Sequence, residues 1–253
     1  MAYSWSDAQR KEEAFYNRIF KAHDIDVESY NVVRPENCIA FARKTLERFG
    51  CAPRTLTGCV LADIGCGPHG IIRGMELNDE WRQYLPQRMY GIDPLMDVYR
   101  EYGVLGDSDV TRLITAKGEN VPLPDGACDY VFCTNAIDHV EKPEAVIQEA
   151  RRLCREGGVF CMSLHIVRPL WAWARPVLFL VDKNHPHHFR EDMILALARR
   201  HFPQVTVCRH VRVVEDHPEF TLARIRTAPH KGRAIKRWLS NSILNSLYIR
   251  CEP

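Results

Sequence analysis

The chain has 253 residues, enough for one large α/β domain or two small ones. Hydrophobic residues make up 46% and charged residues 26%, the balance of an ordinary globular chain, which argues against a disordered or fibrous protein. A formal net charge of +2 is too close to neutral to argue by itself for nucleic acid or a membrane surface.

Met1 to Lys11 is polar and carries no signal-peptide pattern, and no apolar run approaches the roughly 20 residues of a membrane helix. The 10 cysteines form no Cys-x-x-Cys pair, and Cys59, Cys133 and Cys161 sit inside apolar runs as small core residues do. Free thiols predict a reducing, cytoplasmic setting.

Ala8 to Lys21 has apolar residues at helical spacing, and Pro35 opens a second helix that Gly50 stops. These two helices, with the connection His23 to Val33 between them, predict a flap over the ligand end of the domain. Tyr16 and Tyr30 are its candidate ligand contacts, with aromatic packing as the alternative.

Val60 to Ala62 reads as a buried strand that ends on Asp63 and breaks into Gly65-Cys66-Gly67-Pro68-His69-Gly70. A strand running into Gly-x-Gly-x-x-Gly is a nucleotide-cradle pattern, and its spacing suits NAD as well as S-adenosylmethionine. Asp63 favours the second. A carboxylate at the mouth of the cradle repels a pyrophosphate, whereas S-adenosylmethionine brings an ammonium and a sulfonium. The alternative role for Asp63 is to cap the turn that follows.

Ile71 to Asn78 predicts a short helix, and Arg88 to Pro94 a second strand that also ends on an acid. Asp93 stands where a carboxylate would grip a ribose, which either cofactor has. Leu95 and Met96 could pack on adenine or belong to the core. Asp97 to Arg112 is helical or irregular, and Leu113 to Ala116 is the third strand. A turn-rich loop follows from Lys117 to Gly126. Asp129 to Cys133 is the fourth strand, leading into Thr134 to Val140. Pro143 opens a helix with Gly157-Gly158 as its stop, and Val159 to Leu164 is the fifth strand. This alternation predicts a doubly wound parallel α/β sheet with ligands at the carboxyl ends of the strands.

Asp63-Ile-Gly65-Cys-Gly67, the Asp93 strand end, the Glu119-to-Asp125 loop, Asn135 to Val140 and the Arg151-to-Gly158 turn together resemble class I S-adenosylmethionine-dependent methyltransferases. The similarity spans about residues 55 to 165 and is nearest the small-molecule type similar to the ubiquinone/menaquinone methyltransferases. It implies a Rossmann-like, seven-stranded sheet whose last strand is antiparallel. It also implies that Asp63, Gly65, Cys66 and Gly67 hold the methionine part, Asp93 and Pro94 the ribose side, and Gly118, Glu119 and Asn135 the rest. The family's usual adenine-binding Asp aligns with Lys117, which cannot accept from an amine, so backbone groups of Gly118 and Glu119 or plain packing would replace it.

Asn135, Asp138 and His139 fall where a methyl acceptor would meet the sulfonium. His139 is the first candidate general base, since histidine titrates in the right range; packing at a helix start is the alternative. His165 to Val181 is aromatic and bracketed by prolines, and predicts a lid forming an acceptor wall. Asp182 to Phe189 holds three histidines. Their spacing fits no known ligand set, so no metal is assigned, and His185 and His188 are further candidate bases. A helix from Arg190 to His201 and a strand from Val205 to Val214 follow, then a further strand at Phe220 to Thr227. The basic, helical tail ends in a final strand at Leu247 to Arg250.

The expectation is a single domain over 1–253. Residues 1–54 form a flap, 55–165 the cofactor core, 166–204 the lid and acceptor side, and 205–253 the C-terminal strands. Its reaction would be methyl transfer from S-adenosylmethionine to an O, N or C atom of a small molecule. The alternatives are an RNA methyltransferase, a nicotinamide-dependent oxidoreductase and a binding-only protein. Membrane association is not expected, nucleic acid is disfavoured without being excluded, and a homodimer stays open.

Overall fold

The computed structural model describes residues 5–21, 33–174, 186–213 and 243–253. Its centre is one seven-stranded sheet in the order β3-β2-β1-β4-β5-β7-β6. The strands are β1 Val60–Ile64, β2 Arg88–Asp93, β3 Thr111–Thr115, β4 Cys128–Thr134, β5 Cys154–Val167, β6 Gln204–Arg212 and β7 Leu244–Glu252. Strands β1 to β5 run parallel. β7 lies antiparallel between β5 and β6. The expected doubly wound sheet with one reversed strand is therefore the observed one.

Successive strand residues feed opposite faces, as the pleat requires. Ala62, Ile64, Val131, Cys133, Phe160 and Met162 join one apolar cluster, which also takes in the inner side of α5 (Pro143–Leu153) and α6 (Glu191–Arg199). Leu61, Met89, Phe132 and Cys161 join a second, packed on α2 (Pro35–Phe49) and α3 (Ile71–Leu77). Both faces are covered, which is why the central strands read as unbroken apolar runs. The remaining described α-helices are α1 (Trp5–Lys21) and α4 (Met96–Glu101).

Two local signals worked as read. Pro35 sits in the first turn of α2, and Gly50 ends it in the left-handed conformation at φ 68°. There the Gly50 amide donates to the Glu47 carbonyl and the Cys51 amide to that of Leu46. Helices α2 and α3 cross at Gly74, where an added Cβ would overlap the Cys38 carbonyl and the Ala42 side chain. Gly74→Ala is expected to cost about 1–3 kcal/mol through overpacking, against about 1 kcal/mol gained in helix propensity. Urea midpoints of the two proteins measure the net loss, and an unchanged midpoint would contradict the crossing.

Several expectations are corrected. Gly157-Gly158 is not the stop of α5: the helix ends at Leu153, and Cys154 already pairs with Cys128 across the sheet. The register then shifts before Tyr130 meets Val159, and Gly157 takes a positive φ inside that irregular turn. The fifth strand also runs on to Val167, so residues 165–167 belong to the sheet and not to a lid. A 3-10 turn over Pro169–Ala174 follows, with Leu170 and Trp173 exposed. The rest of the proposed lid through 185, the strand expected at 220–227, and the basic stretch with its expected helical face over 230–242 lie outside the described residues. So does Tyr30.

Of the two flap helices, only α1 is a cover. Tyr16 and Phe20 pack on Tyr99, and the Tyr102 hydroxyl donates to Asn17 Oδ1 at 3.2 Å. α2 is instead a layer of the sandwich.

Candidate active site

The carboxyl ends of β1, β2, β3 and β4 open into a cavity of about 430 Å³. Its position is the switch point of the sheet, where β1 is flanked by β2 on one side and β4 on the other. The order of the strands fixes the order of the lining residues. Asp93 and Pro94 come from the tip of β2 and Lys117, Gly118 and Glu119 from the loop after β3; Gly65, Cys66, Gly67 and His69 follow β1; Thr134 ends β4, and Asn135 and His139 follow it. The cover contributes Glu12, Phe15 and Tyr16 from α1, while Phe41 of α2 reaches the rim.

The glycine turn is built for close approach. Gly65 and Gly67 both adopt positive φ, at 68° and 54°. A Cβ on Gly65 would overlap that of Ala136, so β1 and β4 can meet here only through glycine. A Cβ on Gly67 would meet nothing nearer than His69 Nδ1 at 4.0 Å, so this backbone faces open space. Asn135 has φ 54°, the single positive value outside glycine among the described residues. Its amide donates to the Ser163 carbonyl at 2.8 Å, which pins the unusual turn at the cavity wall.

Asp93 is the polar anchor of the β2 side. Its Oδ2 accepts from the Gly67 amide and its Oδ1 from the Leu95 amide, each at 2.9 Å. Burial raises its carboxyl to about 6, and those two amides with the Tyr99 hydroxyl restrain the rise. The Gly67 bond ties the tip of β2 to the glycine turn. The loop after β3 is fixed from behind by α5. Val121 donates to Glu149 Oε1 at 2.6 Å, and Arg152 reaches the Leu123 and Val121 carbonyls at 2.8 and 2.9 Å.

Other expected residues stand differently. Asp63 does not line the cavity. It is fully buried behind the turn, and its Oδ2 accepts from the Ile71 amide at 3.1 Å. The carboxylate thus caps α3, the alternative role. Burial raises its carboxyl to about 7, offset in part by the Ile71 and Ile72 amides. Glu119 lines the cavity, yet its Oε1 also accepts from the Glu141 and Lys142 amides at 2.9 and 3.0 Å, holding the start of α5. Lys117 is at the wall, as its alignment implied, with Nζ 3.2 Å from Glu141. Leu95 and Met96 are core residues around Tyr99 and not part of the wall. Cys66 lines the cavity while its thiol, raised by burial, packs into that same cluster.

Of the two candidate bases among the described residues, His139 reaches the cavity. His188 does not line it, and His185 lies outside the described residues. Asp138 is buried and also off the wall. His187, not singled out in the sequence, ties its segment to the tract after β4. Its Nε2 lies 2.9 Å from the Val140 carbonyl, and its amide donates to that of Asp138 at 3.3 Å.

The residue that sequence reasoning missed is His69. It occupies an unassigned position of the glycine motif, lines the cavity, and packs edge-on against Phe41 with ring centres 5.5 Å apart. Burial pushes its imidazole down to about 4, so it is neutral at pH 7.

Residues 62–162 match the family described as "Methyltransferase domain". This stretch is similar to a methyltransferase domain. The match runs from inside β1 to inside β5 and so contains all of the cavity wall that the sheet supplies. A thiol S-methyltransferase of Homo sapiens is 41% identical over 64 residues, covering 25% of this chain and 26% of its own length. The sarcosine/dimethylglycine N-methyltransferase of Halorhodospira halochloris is 30% identical over 154 residues, 59% of this chain and 53% of its own. The chain therefore spans about half, or less, of the length of these curated relatives. Among solved structures, the geranyl diphosphate C-methyltransferase of Streptomyces coelicolor A3(2), in complex with Mg2+, geranyl diphosphate and S-adenosyl-L-homocysteine, superposes with a TM-score of 0.59. That match has 14% identity and covers 84% of this chain and 78% of that one. It shows a shared fold. No described helix is long and apolar enough to cross a membrane.

The cavity fits S-adenosylmethionine on its own features. It has open space over a glycine backbone and a carboxylate at the β2 tip for ribose hydroxyls.

Proposed function

We propose that the chain transfers a methyl group from S-adenosylmethionine to a nucleophilic atom of a small molecule. The observation carrying this reading is that the methyltransferase-domain match covers the residues that build the floor of the cavity. In it Asp93 and Pro94 hold the ribose, Gly65, Cys66 and Gly67 the methionine part, and Gly118 with Glu119 the adenine side. When bound, the cofactor supplies an electrophilic methyl group on a sulfonium. The protein's share is to hold the acceptor in line, exclude water with α1, and take a proton where the acceptor is an alcohol or amine. His139 does the last at an imidazole nitrogen, with Asn135 orienting the acceptor beside it. The acceptor atom is O, N or C, and the relatives' names extend the range to S. All ten cysteines are unpaired thiols, which supports a reducing, cytoplasmic compartment.

Isothermal titration tests the cofactor. S-adenosylhomocysteine is expected to bind and NADH to give no response; the reverse pattern returns the oxidoreductase. His139→Ala should lower turnover about 10²–10⁴-fold on a proton-bearing acceptor while sparing cofactor affinity. His188→Ala, off the wall, should leave turnover within about twofold, since it touches no reacting group. An equal loss in both would remove His139 from its role.

A further inference from the structure

Every donor contact assigned above comes from a strand tip or the loop that follows it, which leaves the cover free to meet the acceptor. α1 turns one side to the cavity. Glu12, Phe15 and Tyr16 all line it, at the i, i+3 and i+4 spacing that brings side chains together on one face of a helix. Phe41 of α2 lines the same space. Phe15 meets Tyr16 edge-on with ring centres 5.4 Å apart, and it stays 41% exposed. Burial, then Glu12 and Asp93, hold the Tyr16 phenol above its ordinary range, so the ring is uncharged and lies within reach of the Glu12 carboxylate. The charge on the described wall is one-sided. Glu12, Asp93 and Glu119 stand against one lysine, Lys117, whose Nζ is 3.2 Å from Glu141. Such a wall repels an anionic acceptor, whereas a carboxylate beside aromatic rings attracts an organic cation.

We propose that the methyl acceptor is an amine, bound as an organic cation between the Glu12 carboxylate and the rings of Phe15, Tyr16 and Phe41, and that Glu12 sets this specificity. The inference rests on the cofactor reading above and narrows its acceptor atom to nitrogen. The bound ammonium first gives a proton to His139. Its freed lone pair then forms the N–C bond, while the electron pair of the S–C bond withdraws onto sulphur. The sulfonium becomes a thioether and the nitrogen a methylammonium. The positive charge therefore passes from donor to acceptor, where a carboxylate stabilises it in the transition state as well as in the product. An alcohol or thiol that has lost its proton ends the same step neutral and draws no such support.

The test uses three compounds built on one ring, benzylamine, benzyl alcohol and benzoate. They are titrated at pH 7.5 into the native protein saturated with S-adenosylhomocysteine. Benzylamine should bind at least about tenfold more tightly than the alcohol, as expected for a charge-assisted contact, and benzoate should give no response. With labelled S-adenosylmethionine, the label should pass to the amine in preference to the alcohol. Glu12→Gln should reduce the preference for the amine about tenfold, in affinity and in kcat/KM, and leave S-adenosylhomocysteine affinity within about twofold. Glu12→Asp, which keeps the charge, should recover part of it. Equal binding of amine and alcohol by the native protein overturns the inference while leaving the cofactor reading intact, and needs no variant to fold. An unchanged preference in Glu12→Gln overturns it too. Weakened S-adenosylhomocysteine binding in Glu12→Gln would assign the carboxylate to the donor and also overturn it. A native protein that does not bind S-adenosylhomocysteine overturns both readings.

Discussion

Asp93→Ala is expected to weaken S-adenosylhomocysteine binding by roughly 1–3 kcal/mol, about 5- to 150-fold. Two losses combine. The ribose hydroxyls lose a charged acceptor, and the amides of Gly67 and Leu95 lose the oxygens they now bond at 2.9 Å. The glycine turn is then untied from β2, so the site is loosened as well as emptied of charge. Asp93→Asn separates these effects. An amide oxygen can serve one backbone donor, so it should fall between the two proteins. The native protein should carry a pH signature of the same contact. With the carboxyl raised to about 6, the ionised form dominates above that value and the protonated form below it. Affinity should be level above pH 7 and fall toward tenfold per pH unit well below 6. Fold stability moves in the other direction. Between about pH 4 and 6 the folded chain keeps a proton that the unfolded chain has released, so stability declines as pH rises through that window. Titrations at pH 5, 6 and 8 check the first statement and urea melts the second. Affinity that is flat down to pH 5 would move the ribose away from Asp93.

Gly65→Ala should be the more damaging change. It asks a non-glycine residue to hold φ 68° and drives a methyl group into Ala136. The left-handed conformation costs about 1–2 kcal/mol and the overlap about 1–3 kcal/mol more. The turn can relieve both only by shifting. That would stretch the bonds from the Gly65 and Cys66 amides to the Ile92 carbonyl, at 2.8 and 3.2 Å, and close the space over Gly67. Binding of S-adenosylhomocysteine should drop below detection while the circular dichroism of the fold persists. Gly58→Ala is the control. Gly58 has φ 76° but nothing within 4 Å of its would-be Cβ, so it should lose only the conformational part and bind normally. Equal losses in the two variants would mean that Ala136 yields without cost.

The scaffold was legible in the sequence because its signals are local. Apolar runs ending on Asp63 and Asp93, glycines at fixed spacing, and a proline opening α2 and α5 each act within a few residues. Side-chain direction at the site was less so. Whether a carboxylate at a strand tip turns to a ligand or to the next helix is decided by the surrounding packing. Asp93 lines the cavity and also reaches the glycine turn, while Asp63 turns to the next helix. The histidines show the same limit. The dense run near 185–188 drew attention through composition, yet His188 is off the wall, whereas His69 was hidden as a spacer within the glycine motif. Gly157-Gly158 misled because a glycine pair signals a turn without saying on which side of it the hydrogen-bonded ladder begins.

The reversed β7 carries a consequence for how the polypeptide comes together. Among the described residues, β6 touches the rest of the sheet only through β7, and β7 is bracketed by strands separated from it in sequence. Among the described residues, 204–212 can therefore join the sheet only once 244–252 have paired with β5. Closing this end needs a contact of long sequence separation, the kind that slows folding and leaves strand borders open to pairing with other chains meanwhile.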